Sequence, residues 1–403
     1  MRPPLLFLAH RLPYPPNKGD KIRSFHLLKR LAQDYRISLG AFADAPEDMQ
    51  HAGALEGFCE EVKVMRLRPA LARLMSLRGL LQGQPLTQPY YWRHEMAAWI
   101  DQAIDRNGIR RALVFSSAMA PYLFGPRYSS VRRVIDFVDV DSDKWAQYAP
   151  TARLPMRWVY GREAVRLLAL ERRIAAEFDG SLFVSAAEAE LFRKLAPESA
   201  DKVAFAFNGV DTVYFDPALS LASPYAEGES PMVFTGAMDY WPNVDAVCWF
   251  TEQVLPGIRR AEPKAVFYAV GARPAPAVQR LANLPGVKVT GQVGDIRPYL
   301  RYASAVVAPL RIARGIQNKV LEGMAMARPT VVTPAALEGI SAIAGEDLLV
   351  GADADAFADH VLAVMTGRVP AAIGMSGRRR VLADFDWDRN LAGFHQWLEG
   401  GAT

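Results

Sequence analysis

Cysteine is almost absent from this 403-residue chain: Cys59 and Cys248 stand alone and form no CxxC pair. A disulfide framework is therefore not indicated, and a reducing cytoplasm is the natural compartment. Long apolar runs are missing too. The run near the start, Leu5 to Ala9 in MRPPLLFLAHRLPYPP, has five residues. That is too short for the core of a signal peptide and suits a buried strand. Nothing approaches the roughly 18 apolar residues of a membrane span. A charge excess of one sign is also lacking, since 47 basic and 43 acidic residues leave only +4. This argues against a nucleic-acid partner, while a local basic face toward an anionic membrane or a phosphate stays open. The six histidines include no pair at zinc spacing, and no serine elbow or Cys–His arrangement supports hydrolase chemistry.

What is present is an ordinary globular mixture, 51% hydrophobic and 22% charged, long enough for two cores. LLFLA, RISLGAF, CEEVKVMRL, ALVFSS, VRRVIDFVDV and SLFV read as strands, with helices such as Lys21 to Gln33 between them. Short apolar strands separated by helices predict βαβ units and a parallel sheet covered on both faces. The rhythm breaks at NGVDTVYFDPALSLASPYAEGESP, then resumes with PMVFTGAM, AVFYAVG, VKVTGQV and SAVVAPL. The expected architecture is α/β, with two Rossmann-like doubly wound domains. The expected divisions are residues 1–207, a linker at 208–230, a second domain at 231–384, and a C-terminal helix at 385–403.

The stretch RIARGIQNKVLEGMAMARPTVVT, Arg311 to Thr333, concentrates the chemistry. SAVVAP places it after a parallel strand, where loops face a ligand crevice. Asn318 is the expected helix cap. Lys319 then falls in the first turn, and Glu322 lies one turn on, on the same face. A helix N-terminus with a lysine attracts phosphate, and a carboxylate one turn deeper accepts from two neighbouring hydroxyls. Diphosphate plus vicinal diol describes a nucleotide. On spacing alone, an ordinary i, i+3 ion pair is the simpler account, worth a few tenths of a kcal/mol. The crowding of Arg311, Arg314 and Lys319 favours an anion, because three unpaired cations would repel.

This stretch resembles the donor-site signature of family 4 glycosyltransferases, which have the GT-B fold. TGAMDYWPNVDAVCWF, LPYPPNKGDKIRSFHLLKRLA, VIDFVDVDSDKW and the C-terminal FDWDRNLAGFHQWLEG are similar to other segments of that family, above all to sugar transferases of bacterial exopolysaccharide gene clusters. The resemblance covers essentially the whole chain. It implies two domains facing a central cleft, with a C-terminal helix crossing back to the first. It implies that Glu322 binds the ribose of a nucleoside-diphosphate sugar, with Lys319 and Arg311 near the diphosphate. It also implies retaining, hexosyltransferase-type transfer to a saccharide or polyprenyl-linked acceptor, with the sugar nucleotide as co-substrate and no metal or other cofactor. Two departures stand out. Arg314 occupies the place of a second acid, and Ala-Met-Asp-Tyr-Trp-Pro-Asn after Gly236 carries no cation. Arg314 is the candidate replacement for the missing charge.

In the first domain, Gly19 sits between the first strand and its helix, where a glycine admits close approach of a ligand; a rigid loop rich in proline is the plainer account. Asp136 to Asp143 is the densest acidic cluster. A calcium loop would need Gly and Glu where Lys144 and Pro150 stand. A metal-binding D-x-D would duplicate the cationic donor site. By the resemblance, Asp139 occupies the strand-end place where related enzymes often carry a histidine near the reacting sugar; it is the candidate catalytic residue, orienting the acceptor or stabilising positive charge, against helix capping by solvent-facing acids. His10 ends the first strand and could line the same crevice. Two arginine-rich amphipathic segments, Leu67 to Leu81 and Thr151 to Phe178, make an anionic membrane surface a candidate partner, the alternative being helices that solvate their arginines. A nucleotide-sugar epimerase or dehydrogenase would want G-x-G-x-x-G after its first strand, which RLPYPPNKGD lacks. A noncatalytic sugar-nucleotide-binding partner in polysaccharide assembly is the remaining rival.

Overall fold

A computed structural model describes residues 2–16, 19–150, 152–313, 315–370 and 372–401. The chain divides into two compact units, Met1–Phe207 with Trp387–Thr403, and Asn208–Asp386. Among the described residues each unit is built on one all-parallel sheet.

The first sheet contains β1 (Pro4–Ala9), β2 (Arg36–Ala43), β3 (Glu61–Arg66), β4 (Arg111–Phe115), β5 (Arg132–Val138), β6 (Gly180–Phe183) and β7 (Val203–Phe205), in the order β3-β2-β1-β4-β5-β6-β7. The short apolar run near the start is β1, in the middle of the sheet. Leu5, Phe7 and Ala9 enter one core and Leu6 and Leu8 the other, all fully buried. A strand covered on both faces has no polar side, so its sequence is apolar throughout. β5 stops at Val138, two residues short of the expected Val140, because Val138 has φ 70°. That left-handed conformation ends the extended ladder and is costly for a β-branched residue.

The C-terminal segment forms two short helices, Trp387–Leu391 and Gly393–Glu399, instead of one. They bury Trp387, Leu391, Phe394 and Leu398 in the core that holds Leu5 and Phe7. Trp387 stacks on His26 at 4.5 Å, and Glu399 accepts from the Tyr35 hydroxyl at 2.7 Å.

The second sheet contains β8 (Ser230–Thr235), β9 (Ala265–Val270), β10 (Val287–Gly291), β11 (Ala305–Ala308), β12 (Thr330–Val332) and β13 (Leu349–Val350), in the order β10-β9-β8-β11-β12-β13. Of residues 208–230, expected as a linker, 208–229 form no helix or strand and Ser230 opens β8; all group with this unit. The Tyr225 hydroxyl, for example, donates to the Tyr299 carbonyl at 2.6 Å. The strand order reverses at β1/β4 in the first sheet and at β8/β11 in the second. Ligand crevices of open parallel sheets form at the carboxyl ends of the strands at such reversals.

Candidate functional site

In the second unit the reversal point brings together the loops that follow β8 and β11. The loop after β8 begins at Gly236, whose N–H donates to the Val270 carbonyl at 3.0 Å. The loop after β11 leads to the helix Asn318–Ala325. Lys319 sits in its first turn and crosses to the other loop. Its Nζ donates to Asn243 Oδ1 at 3.1 Å and lies 5.1 Å from the centre of the Phe234 ring. Asn243 is buried and its amide nitrogen donates to the Ala237 carbonyl at 2.8 Å. A Cβ at Gly236 would stand 2.8 Å from Asn243 Nδ2 and 3.5 Å from Lys319 Cε. Glycine therefore lets the two loops close over the lysine.

Among the described residues no ion pair forms between Lys319 and Glu322, so the simple helix salt bridge is not what the spacing serves. The Glu322 carboxylate accepts no hydrogen bond from any described residue. Both side chains are partly buried. Burial lowers the Lys319 ammonium to about 8, with Glu322 opposing the shift. Burial likewise raises the Glu322 carboxyl to about 7, with Lys319 opposing. A cation held by a neutral amide and a carboxylate without a donor are chemically suited to an anion and to hydroxyls respectively.

The expected crowd of unpaired cations needs correction. The Arg311 guanidinium is half exposed and forms a two-pronged pair with Asp245, through Nε–Oδ2 at 3.0 Å and Nη2–Oδ1. It is thus already neutralised by a residue that the sequence reading missed. Arg314 lies outside the described residues. Asn318 does not cap its helix; Gln317 holds the cap position and makes no side-chain cap bond. The Asn318 side chain instead buries its Oδ1 with no hydrogen-bond partner. Asn243 was passed over because its stretch was searched for a cation. The neutral amide is what receives Lys319. Tyr214, Asp295 and Arg297 were missed as well. The Arg297 guanidinium lies 4.0 Å from the Tyr214 ring centre and pairs with Asp295, while the Tyr214 hydroxyl reaches Asp295 at 3.4 Å. The Tyr214 phenol is raised by burial and by Asp295, and more weakly by Glu322. Tyr214 and Asp295 stand 81 residues apart, so no spacing in the sequence signals this cluster.

Gly236→Ala tests the loop closure. The side chain forces Asn243 and Lys319 apart at a cost of about 1–3 kcal/mol. We expect sugar-nucleotide affinity to fall about tenfold, measured by titration calorimetry on a variant with unchanged circular dichroism.

In the first unit, Gly19 begins the helix Gly19–Asp34 at the carboxyl end of β1. It is exposed, and a Cβ there meets no atom within 4 Å, so the fold itself does not demand glycine. Asp20 beside it pairs with Arg11 at 2.7 Å and approaches His10 Nε2 at 3.5 Å. Burial would raise the Asp20 carboxyl, but His10 and Arg11 outweigh it and hold it well below the usual range.

Asp139 follows the left-handed Val138 and lies 3.5 Å from Lys144 Nζ, which also reaches Asp141 at 3.3 Å. The capping explanation for the aspartates does not hold. The N–H of Val140 donates to Glu188 at 2.7 Å and that of Ser142 to Glu171 at 3.0 Å. Two buried glutamates from other helices thus satisfy the start of the helix Asp141–Tyr148. Asp136 is fully buried against Arg23. Among the described residues no group of three His, Cys, Asp or Glu side chains converges as a metal site.

Comparison with known proteins fits this geometry. Residues 229–367 match the family described as glycosyl transferases group 1. No curated protein matches the chain in sequence. Sucrose-phosphate synthase from Thermosynechococcus elongatus superposes with a TM-score of 0.70 at 16% identity, covering 99% of each chain. Anabaena HepE in complex with UDP-glucose gives 0.68 at 14%, covering 98% of this chain and 99% of that one. WaaG, a glycosyltransferase involved in lipopolysaccharide biosynthesis, gives 0.62 at 12%, covering 98% and 100%. At such identities the shared property is the fold, which is GT-B. Gly236, Asn243, Lys319 and Glu322 all lie within the segment of the second unit that matches the glycosyl transferases group 1 model.

Proposed function

We propose that the protein transfers a sugar from a nucleoside-diphosphate sugar to a saccharide or polyprenyl-linked saccharide in the cytoplasm, in exopolysaccharide assembly, with retention at the transferred carbon. The observation that carries this reading is the Glu322 carboxylate. It stands one turn into the helix after β11 with no hydrogen-bond donor among the described residues, beside a lysine that an amide holds in place. In this reading Glu322 accepts from the two ribose hydroxyls, and Lys319 with the helix N–H groups faces the diphosphate. Arg311, once released from Asp245, adds charge, and Arg314 stands where related enzymes carry an acid.

The chemistry follows from charge. Breaking the sugar–phosphate bond leaves a cationic sugar and a diphosphate that gains negative charge. Preorganised cations and N–H dipoles stabilise that departure most where water is excluded. The leaving diphosphate takes the acceptor hydroxyl's proton on the same face, so the reading needs no protein nucleophile and no metal. Asp139 orients the acceptor on the first unit, with Gly19 admitting close approach of a ligand.

The test is a panel of nucleoside-diphosphate sugars, UDP-glucose among them, with release of nucleoside diphosphate followed beside Glu322→Ala. Slow release that the variant loses supports the transferase. Donor binding without release, even with lipid-linked acceptors, replaces it with the noncatalytic partner. No binding of any sugar nucleotide removes both readings.

The pH profile gives a second check. Donor capture requires ionised Glu322 and protonated Lys319. In the free protein kcat/KM for donor should rise as pH passes about 7 and fall beyond about 8, a narrow bell belonging to the pair. Glu322→Gln removes a titrating carboxyl and should abolish the acid limb. An acid limb that survives in Glu322→Gln assigns it to another group.

A further inference from the structure

The two arginine-rich segments of the first unit, about eighty residues apart in sequence, are stitched into one face. Arg162 Nη2 donates to the carbonyls of Gly79 at 2.7 Å and Gln84 at 3.0 Å. The Leu86 N–H donates to Glu163 at 2.8 Å. The helix Met156–Glu177 is thereby fastened beside the helices Pro69–Ser76 and Arg78–Gln82.

The joined face exposes large apolar side chains. Leu81 is 91% exposed, Leu154 78%, Leu74 65%, Trp158 59% and Leu77 51%. Isolated exposed leucines are ordinary, but five large apolar side chains exposed along two stretches that are hydrogen-bonded side by side mark an interaction surface. Exposed arginines are interleaved with them, at positions 73, 78, 153, 157 and 166.

The two stretches that form it carry no surface acids. No Asp or Glu occurs between Glu61 and Glu95. Between Asp143 and Glu177 the only two are Glu163 and Glu171, and both are buried. The chain as a whole is nearly balanced, at 47 basic to 43 acidic residues. The one-sided charge here is therefore a local property. A protein partner would need only a matching apolar patch. Leucine and tryptophan set among arginines, with no surface acid in either stretch, fit the headgroup–acyl boundary of an anionic bilayer. Among the described residues no helix is long and apolar enough to cross a membrane.

We propose that this face docks the protein on an anionic lipid bilayer, with Leu74, Leu81, Leu154 and Trp158 entering the acyl boundary and the arginines contacting headgroups. The proposal stands on the first unit alone and does not depend on the proposed reaction.

The test is flotation of the full chain with vesicles of phosphatidylcholine alone or mixed with phosphatidylglycerol. Capture should require the anionic lipid. It should weaken about fivefold for each charge removed in Arg153→Ala/Arg157→Ala, and be lost in Leu81→Asp/Trp158→Asp. All four positions are exposed, so the variants should keep wild-type circular dichroism and sugar-nucleotide affinity. That affinity separates a failed docking face from a failed reading of the donor site. Absence of capture overturns the proposal, as does capture unchanged by both variants. A dimer by light scattering that Leu81→Asp/Trp158→Asp dissolves, without vesicle capture, assigns the face to a second copy of the chain instead.

Discussion

Replacing Glu322 with alanine should lower kcat/KM for the sugar nucleotide by roughly thirtyfold to a thousandfold. The number comes from what the carboxylate lacks in the free protein. No described residue donates to it, and burial has already raised it to about 7. The desolvation has therefore been met without compensating bonds. Two ribose hydroxyls would supply two charge-assisted hydrogen bonds, each worth about 1.5–3 kcal/mol. Part of that is offset by fixing the hydroxyls, leaving about 2–4 kcal/mol. Glu322→Gln should fall between wild type and alanine, since the amide oxygen still accepts one bond. A 2′,3′-dideoxy donor should bind wild type and Glu322→Ala equally. Removing an unpaired, half-buried carboxyl should not cost stability, so unfolding temperatures should match or rise. Kinetics unchanged in Glu322→Ala would end the donor-site reading, because no other described carboxylate lies on that helix.

Periodicity carried far in this chain where the physics is local. β1, β8, β9 and β11 are legible because strands covered on both faces are nearly continuous apolar runs, as in PLLFLA and AVFYAV. Lys319 and Glu322 were legible because a strand, a loop and a helix start leave little freedom for where a first-turn residue stands. The partners were not. Arg311 meets Asp245 across 66 residues and Lys319 meets Asn243 across 76, contacts that no spacing rule reaches. The capping alternative for the aspartate cluster failed for the same reason. Its helix is capped by Glu171 and Glu188, which come from 29 and 48 residues away. The left-handed Val138 also had no signal, since nothing in DFVDVD distinguishes that valine from its neighbour at 140. What sequence does not display is which distant polar group satisfies a loop, and functional sites are made largely of such pairings.

Asp136→Ala should destabilise the first unit by about 3–5 kcal/mol, the largest effect expected of any single change in the chain. Asp136 and Arg23 are both fully buried, with Nε–Oδ2 at 2.7 Å and Nη2–Oδ1 at 3.2 Å. Arg23 Nη1 also donates to the Ala206 carbonyl at 2.9 Å. Removing the aspartate takes away the guanidinium's buried counter-charge and two of its hydrogen bonds. For a unit of this size that cost lowers the unfolding temperature by roughly 6–20 °C, to be read by calorimetry as the transition of the first unit. The pair need not be a net stabiliser. Arg23→Met/Asp136→Leu, which fills the volume without charge, should recover much of the loss. The double variant should nevertheless stay functionally impaired, because Asp136 Oδ1 also accepts from the Val138 N–H at 3.2 Å. That bond anchors the left-handed residue immediately before Asp139. Without it the valine can relax toward extended backbone, and the Asp139 carboxylate swings from its place near Lys144. Recovered stability with a raised acceptor KM and unchanged donor affinity would make the buried pair a positioning device for Asp139. Full recovery of both would make it structural alone and remove Asp139's geometry from the account of the acceptor.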